Sequence, residues 1–81
     1  ARKAAFMKRP ANPMPEFVAQ ALEAEGLTRA FDLRPWYQRN DYLGWIMRAK
    51  RDATKVRRLQ QMLDELRADD TYMNMVWCPR R

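Results

Sequence analysis

The 81-residue chain contains no histidine and no serine, and only one cysteine and two glycines. Without histidine and serine it lacks the usual general base, the commonest metal ligand and the hydroxyl nucleophile of serine hydrolases. Cys78 alone can form no intrachain disulfide, which agrees with a reducing compartment, and zinc sites of the Cys/His type are excluded by count. No activating base stands beside that thiol, so it reads as an inert tail residue. Gly26 and Gly44 are too few for a phosphate-cradling loop or a dinucleotide fingerprint. No apolar run approaches the roughly 18 residues of a membrane span. Pro10, Asn12, Pro13 and Pro15 stand where the apolar stretch of a signal peptide would follow Arg2, Lys3, Lys8 and Arg9. The expectation is a cytoplasmic protein that is not an enzyme and needs neither cofactor nor metal.

What the chain does have is 47% hydrophobic and 32% charged residues, a net charge of +6 and a pI near 10.1. That balance fits one small soluble domain, and at this length a single core must hold everything together. The positive field attracts nucleic acid, acidic proteins or anionic surfaces, and charge alone does not choose among them.

The patterning predicts an all-α fold, a small bundle of three to four helices with a basic N-terminal arm (1–14), a helical domain (15–71) and an apolar C-terminal tail (72–81) packed on it. Phe6 and Met7 are possible anchors for the arm. Pro15 and Glu16 open a first helix that Gly26 closes, following the usual punctuation of proline and acid at the start and glycine past the end. Phe17, Val18, Ala21 and Leu22 share its inner face. Thr28 is placed as the cap of a short turn with Phe31 and Leu33 pointing inward. A central helix begins at Pro35. Tyr42, Ile46 and Ala49 form one line along it and Leu43 with Met47 the next. Core packing is the stronger reading for Trp36, Tyr37, Tyr42 and Trp45, ahead of base stacking. Gly44 costs about 1 kcal/mol inside a helix and marks either close packing or drift. Asp52 is placed as the cap of a last helix with Val56, Leu59, Met62, Leu63 and Leu66 inward. Asp64 with Glu65, and Asp69 with Asp70, read as solvated pairs, because adjacent helical positions face different ways. Tyr72, Met75 and Trp77 are expected to fold back onto the helices or, in the sharper alternative, to bind a partner.

The densest charge lies at the corner between the last two helices. Arg48, Lys50, Arg51, Lys55, Arg57 and Arg58 face one acid, Asp52, so six cations and one acid leave a local charge of +5. On a helix, Arg51, Lys55 and Arg58 make a ridge and Arg57 faces aside. Guanidinium groups hold carboxylates or phosphates through two parallel hydrogen bonds, so this is the best candidate surface for a partner, set against the plainer reading of a solvated face. An acidic protein is one candidate partner and the backbone of DNA or RNA, bound nonspecifically, is the other. A base-reading helix-turn-helix is not supported, because the second helix opens with Ala53, Thr54, Lys55 and Val56. The oligomeric state is left open.

Tyr42, Trp45, Ile46, Ala49 and Lys50, followed by Thr54, Lys55, Arg57, Arg58 and Leu59, together resemble the helical module of the bacterial YdeI or OmpD-associated (bacteriocin-protection) family. Lys55 and Leu59 are conservative replacements in that pattern. The order of Met14 and Pro15, an alanine-rich helix, and then Phe31, Leu33 and Pro35 is similar too, so the resemblance spans about residues 14–66. Met47 and Arg48 stand where family members often carry an acidic pair, and Asp52 where proline is common. The resemblance implies an all-helical bacterial cytoplasmic protein of poorly defined activity and lends no catalytic residues.

Overall fold

A computed structural model describes residues 11–77, and Phe6, Met7 and Cys78 fall outside them. The chain is mostly helical. Helix α1 spans Glu16–Ala24, α2 Thr28–Asp32, α3 Trp36–Arg48 and α4 Asp52–Ala68, followed by strands β1, Thr71–Tyr72, and β2, Met75–Val76. The two strands pair antiparallel, Thr71 opposite Val76 and Tyr72 opposite Met75. The sequence reading anticipated no strand. Its alternation is too short to announce one, and the turn of this hairpin depends on a residue of α4.

The end of α1 follows directly from its sequence. Gly26 takes a left-handed conformation at φ 70°, where a side chain is strained and glycine is not. Its N–H donates to the Glu23 carbonyl, and the Leu27 N–H reaches the Leu22 carbonyl at 2.8 Å. This paired bonding satisfies carbonyls that a helix end leaves open and brings the residue after the glycine against the last turn. Leu22 and Leu27 are both buried as a result.

Buried side chains from every helix meet in one core: Val18, Leu22, Leu27, Phe31, Tyr42, Leu43, Ile46, Met62, Leu63 and Leu66. Fully burying a side chain of this size contributes about 1.5–3 kcal/mol, and Tyr42, Leu22, Ile46, Met62 and Leu66 are its largest completely enclosed members. The predicted stripe on α4 therefore holds from Leu59, which packs partly buried against the core, through Met62, Leu63 and Leu66.

Several inward assignments are corrected. Leu33 is 69% exposed and Val56 61% exposed. Leu33 lies just past the end of α2, and Val56 lies in the first turns of α4, before the stretch that the core covers. Phe17 and Met47 are also exposed, as are Trp36 and Tyr37, so of the four aromatics assigned to the core only Tyr42 is buried, with Trp45 packed at its edge. Neither Thr28 nor Asp52 caps its helix through a side chain. Each is the first helical residue, after Leu27 and Arg51 respectively.

Gly44 marks close packing. The Asn12 amide lies against α3, its N–H donating to Asn40 Oδ1 at 2.7 Å and its side-chain nitrogen to the Asn40 carbonyl at 2.9 Å. That carbonyl sits one turn before Gly44, and a Cβ on Gly44 would stand 2.7 Å from Asn12 Nδ2. Glycine opens the helix surface so that the segment before α1 can reach an interior carbonyl. Two effects then oppose each other in Gly44→Ala. The substitution gains about 1 kcal/mol of helix propensity and displaces a bonded side chain. The expected outcome is little or no gain in the wild-type background and a gain approaching about 1 kcal/mol in an Asn12→Ala background. Equal gains in both backgrounds by urea denaturation would refute the contact's role.

Candidate functional site

Two places combine polar chemistry with definite geometry: a buried network around Glu65 and the basic corner between α3 and α4.

Glu65 is only 5% exposed although it neighbours the exposed Asp64. Adjacent helical positions do face different ways, as expected, but the inward member of this pair was missed. One carboxylate oxygen accepts the Tyr42 hydroxyl and the Met73 N–H, at 2.8 Å for the latter. The other accepts the Asn74 N–H at 2.8 Å and the Gln61 amide at 3.1 Å. Met73 and Asn74 are the two turn residues of the hairpin and both have positive φ, 51° and 65°. That combination turns both N–H groups away from the strands, and the carboxylate collects them. Asparagine tolerates this conformation, whereas methionine is strained in it. The hydrogen bonds to Glu65 offset that strain.

Arg34 completes the network from the α2–α3 corner. It is 3% exposed, and it donates to Gln38 Oε1 at 3.0 Å and to the Glu65 carbonyl at 2.9 Å. Its guanidinium lies 4.4 Å from the Trp77 ring centre, a cation–π contact that covers the charge on that side. Tyr72 stands edge-on to Tyr42 at 5.4 Å and to Tyr37 at 5.9 Å, and its hydroxyl donates to Asp41 at 2.7 Å. Tyr72 and Trp77 thus contact the helices, while Met75 is exposed.

The chemistry of this network is that of a fastener. All four donors are taken up by a carboxylate whose release would free the hairpin turn. Burial first, then the hydrogen bond to Glu65 and its negative charge, push the Tyr42 phenol well above its ordinary value, and the Arg34 charge opposes them in part. The phenol is therefore held as a proton donor.

At the basic corner the six cations separate into two kinds. Arg58 donates to the Trp45 carbonyl at 2.6 Å and lies over the Trp45 ring at 5.2 Å. Trp45 is in the last turn of α3, so this guanidinium satisfies a carbonyl that the helix end leaves open and ties α4 to α3. The side chains of Arg48, Lys50, Arg51, Lys55 and Arg57 make no hydrogen bond or ion pair among the described residues; the ion pairs there run from Arg67 to Glu25 and to Asp64. Arg48, Lys50, Arg51 and Arg57 are exposed and Lys55 is half-buried. Arg48 closes α3, Lys50 and Arg51 form the connection, and Lys55 lies one turn into α4. Arg57 faces elsewhere on α4, beside the hairpin.

Sequence reasoning found this cluster and missed Arg34, Gln38, Asn40 and Glu65, all buried polar residues. One signal was present for Glu65, which interrupts the run of Met62, Leu63 and Leu66 with a charge. Nothing local marks the other three, whose partners are 28 to 31 residues away or lie on a neighbouring turn.

Residues 12–69 match the family model described as bacteriocin-protection, YdeI or OmpD-associated. No curated protein and no solved structure matches the chain. The matched segment begins at Asn12, which binds α3, and ends just past α4, so it takes in the Arg58–Trp45 contact and Glu65 and stops before the hairpin.

Two outcomes follow for the buried network. Glu65→Gln places an amide donor against donors already in place, and it should lower stability by about 2–3 kcal/mol in thermal or urea unfolding; an unchanged midpoint would show that the carboxylate does not fasten the turn. In the unfolded chain the Tyr42 phenol loses its proton as pH passes about 10. The folded chain keeps it, so above that pH the unfolded state binds fewer protons and stability falls as pH rises, while it is fully present below. Tyr42→Phe should flatten that alkaline decline in denaturation curves taken from pH 8 to about 11.

Proposed function

The chain belongs to the bacteriocin-protection, YdeI or OmpD-associated family, and from that premise we propose that it is a non-enzymatic interaction module whose basic corner engages an acidic protein partner. The observation that carries this reading is that the side chains of Arg48, Lys50, Arg51, Lys55 and Arg57 are unpaired among the described residues. Arg48, Lys50, Arg51 and Lys55 cluster within one helix–helix connection and its flanking turns, with Arg57 apart from them beside the hairpin, and among the described residues none of the five pairs with a carboxylate, so a partner's carboxylates can take their charge without first breaking an internal pair. Potential of one sign concentrated on one surface raises encounter rates with acidic proteins. The aromatic and carboxylate groups nearest to catalytic chemistry, Tyr42 and Glu65, are buried and occupied by one another, which supports a binding role over a reactive one.

Nucleic-acid backbone is the competing ligand for the same cations, and one observation supports it less. Trp45, the tryptophan next to the cluster, is covered by Arg58, and Trp36 lies at the far end of α3, so among the described residues neither ring stands open beside Lys50, Arg51 and Lys55 for base stacking.

Fluorescence anisotropy with labelled polyglutamate and with labelled duplex DNA separates the two. Polyglutamate binding that the triple substitution Lys50→Glu, Arg51→Glu, Lys55→Glu weakens by at least about tenfold is the expected result, a loss of about 1.4 kcal/mol. Binding unchanged by the triple substitution would overturn the assignment. DNA bound more tightly than polyglutamate, with a logarithmic salt slope of about 0.9 per phosphate contacted, would replace the acidic protein with nucleic acid.

A further inference from the structure

Arg48 stands apart from the other corner cations in where its side chain rests. It belongs to the last turn of α3, yet its guanidinium makes no hydrogen bond or ion pair among the described residues. It lies back along the helix over Gly44, one turn earlier. A Cβ on Gly44 would stand 3.0 Å from Arg48 Nη1, and the same Cβ would meet Asn12 Nδ2 at 2.7 Å. Asn40, Gly44 and Arg48 follow one another at four-residue steps and so form a row along α3. Asn12 closes one end of that row through its bonds to the Asn40 carbonyl and Oδ1. Arg48 occupies the other end, beside the corner.

The bare backbone at Gly44 therefore serves two neighbours. It admits Asn12, which spends its side-chain nitrogen on Asn40, and it seats Arg48, whose guanidinium donors stay open. The charge around this seat is positive on balance. Lys50 and Arg51 follow in the connection, and Lys55 lies one turn into α4. Asp52 is the exposed first residue of α4, and Asp41 on α3 accepts the Tyr72 hydroxyl at 2.7 Å on the hairpin side. Neither acid pairs with Arg48 among the described residues.

We infer that Arg48, seated on Gly44, is the anchor for the acidic partner. One side-chain carboxylate of the partner lies on this guanidinium through two parallel hydrogen bonds, and the partner's chain runs from there over Lys50 and Arg51. The inference rests on the acidic-partner reading of the basic corner and adds which cation fixes the register. A side chain already placed before association loses less freedom than one that must be ordered by the partner. Arg48 thus contributes more to binding than its charge alone.

The test is a double-mutant cycle on the full chain, read by fluorescence anisotropy of labelled polyglutamate. Arg48→Ala should weaken binding by about tenfold. Gly44→Ala keeps every charge and pushes the guanidinium off its seat, so it should weaken binding by about threefold while Arg48 is present and leave it unchanged once Arg48 is alanine. Asn12→Ala empties the other side of Gly44 and should bind as wild type does; the melting temperature of each variant serves as its folding control. On titration of the wild type, the Arg48 Nε–H resonance should shift. Four results each overturn the seat and leave the basic-corner reading standing: equal losses from Gly44→Ala in both backgrounds, no loss in either, the same loss from Asn12→Ala, or an Nε–H resonance that stays still while polyglutamate binds. Duplex DNA bound more tightly than polyglutamate, with the same cycle, overturns the carboxylate and gives the seat to phosphate. Failure of the wild type to bind polyglutamate ends both readings.

Discussion

The carboxylate of Glu65 is the point on which the lower half of the molecule turns. A buried charge in a domain this small is costly unless it is paired and hydrogen-bonded, and the surroundings supply four donors from three separate parts of the chain: Tyr42 on α3, Gln61 on α4, and the Met73 and Asn74 backbone in the hairpin. Arg34 binds the carbonyl of the same residue and brings the α2–α3 corner to it. The helix core and the hairpin are thus joined through polar atoms as well as apolar packing. Removing one donor leaves the others in place, whereas removing the acceptor leaves a buried hydroxyl and two turn N–H groups without it.

The basic corner shows how one run of like charge can divide its tasks. Arg58 holds the end of α3 through the Trp45 carbonyl and ring, which makes it part of the fold. Arg57, one residue earlier, is turned about 100° around the helix and stands beside the hairpin. The paired arginines that belong to the family-like pattern are thus unequal, one a helix clasp and the other a free charge. Substituting both together would mix a folding defect with a binding defect, which is why the exposed Lys50, Arg51 and Lys55 are the cleaner probes of binding.

Much of the helical frame was legible in the sequence. Gly26 announced the end of α1, the spacing of Met62, Leu63 and Leu66 gave the inner face of α4, and Tyr42 with Ile46 gave that of α3. Periodicity states which residues share a face. It does not state how far along the helix that face is covered, so Val56 and Met47 were placed inward although both are exposed. Leu33, the cap residue at the end of α2, was misplaced in the same way: it keeps helical geometry yet is left exposed. Apart from Glu65, whose charge interrupts the apolar run of α4, the buried polar residues were illegible because each is tolerable only through a partner distant in sequence or supplied by the fold. The corner cations, by contrast, were legible as a cluster from composition alone, and only coordinates could separate Arg58 from the rest.

The hairpin turn carries a kinetic consequence. Met73 and Asn74 both occupy a conformation that methionine resists, and the acceptor that rewards it lies on an already formed α4 beside a packed Tyr42. A two-stranded ribbon of this length has little stability of its own. Its stability therefore depends on α3 and α4 being in place. In the native protein the same dependence makes the hairpin the first unit to open, so the amide hydrogens of Met73 and Asn74 report on a local, low-energy opening while those at the centre of α4 report on global unfolding.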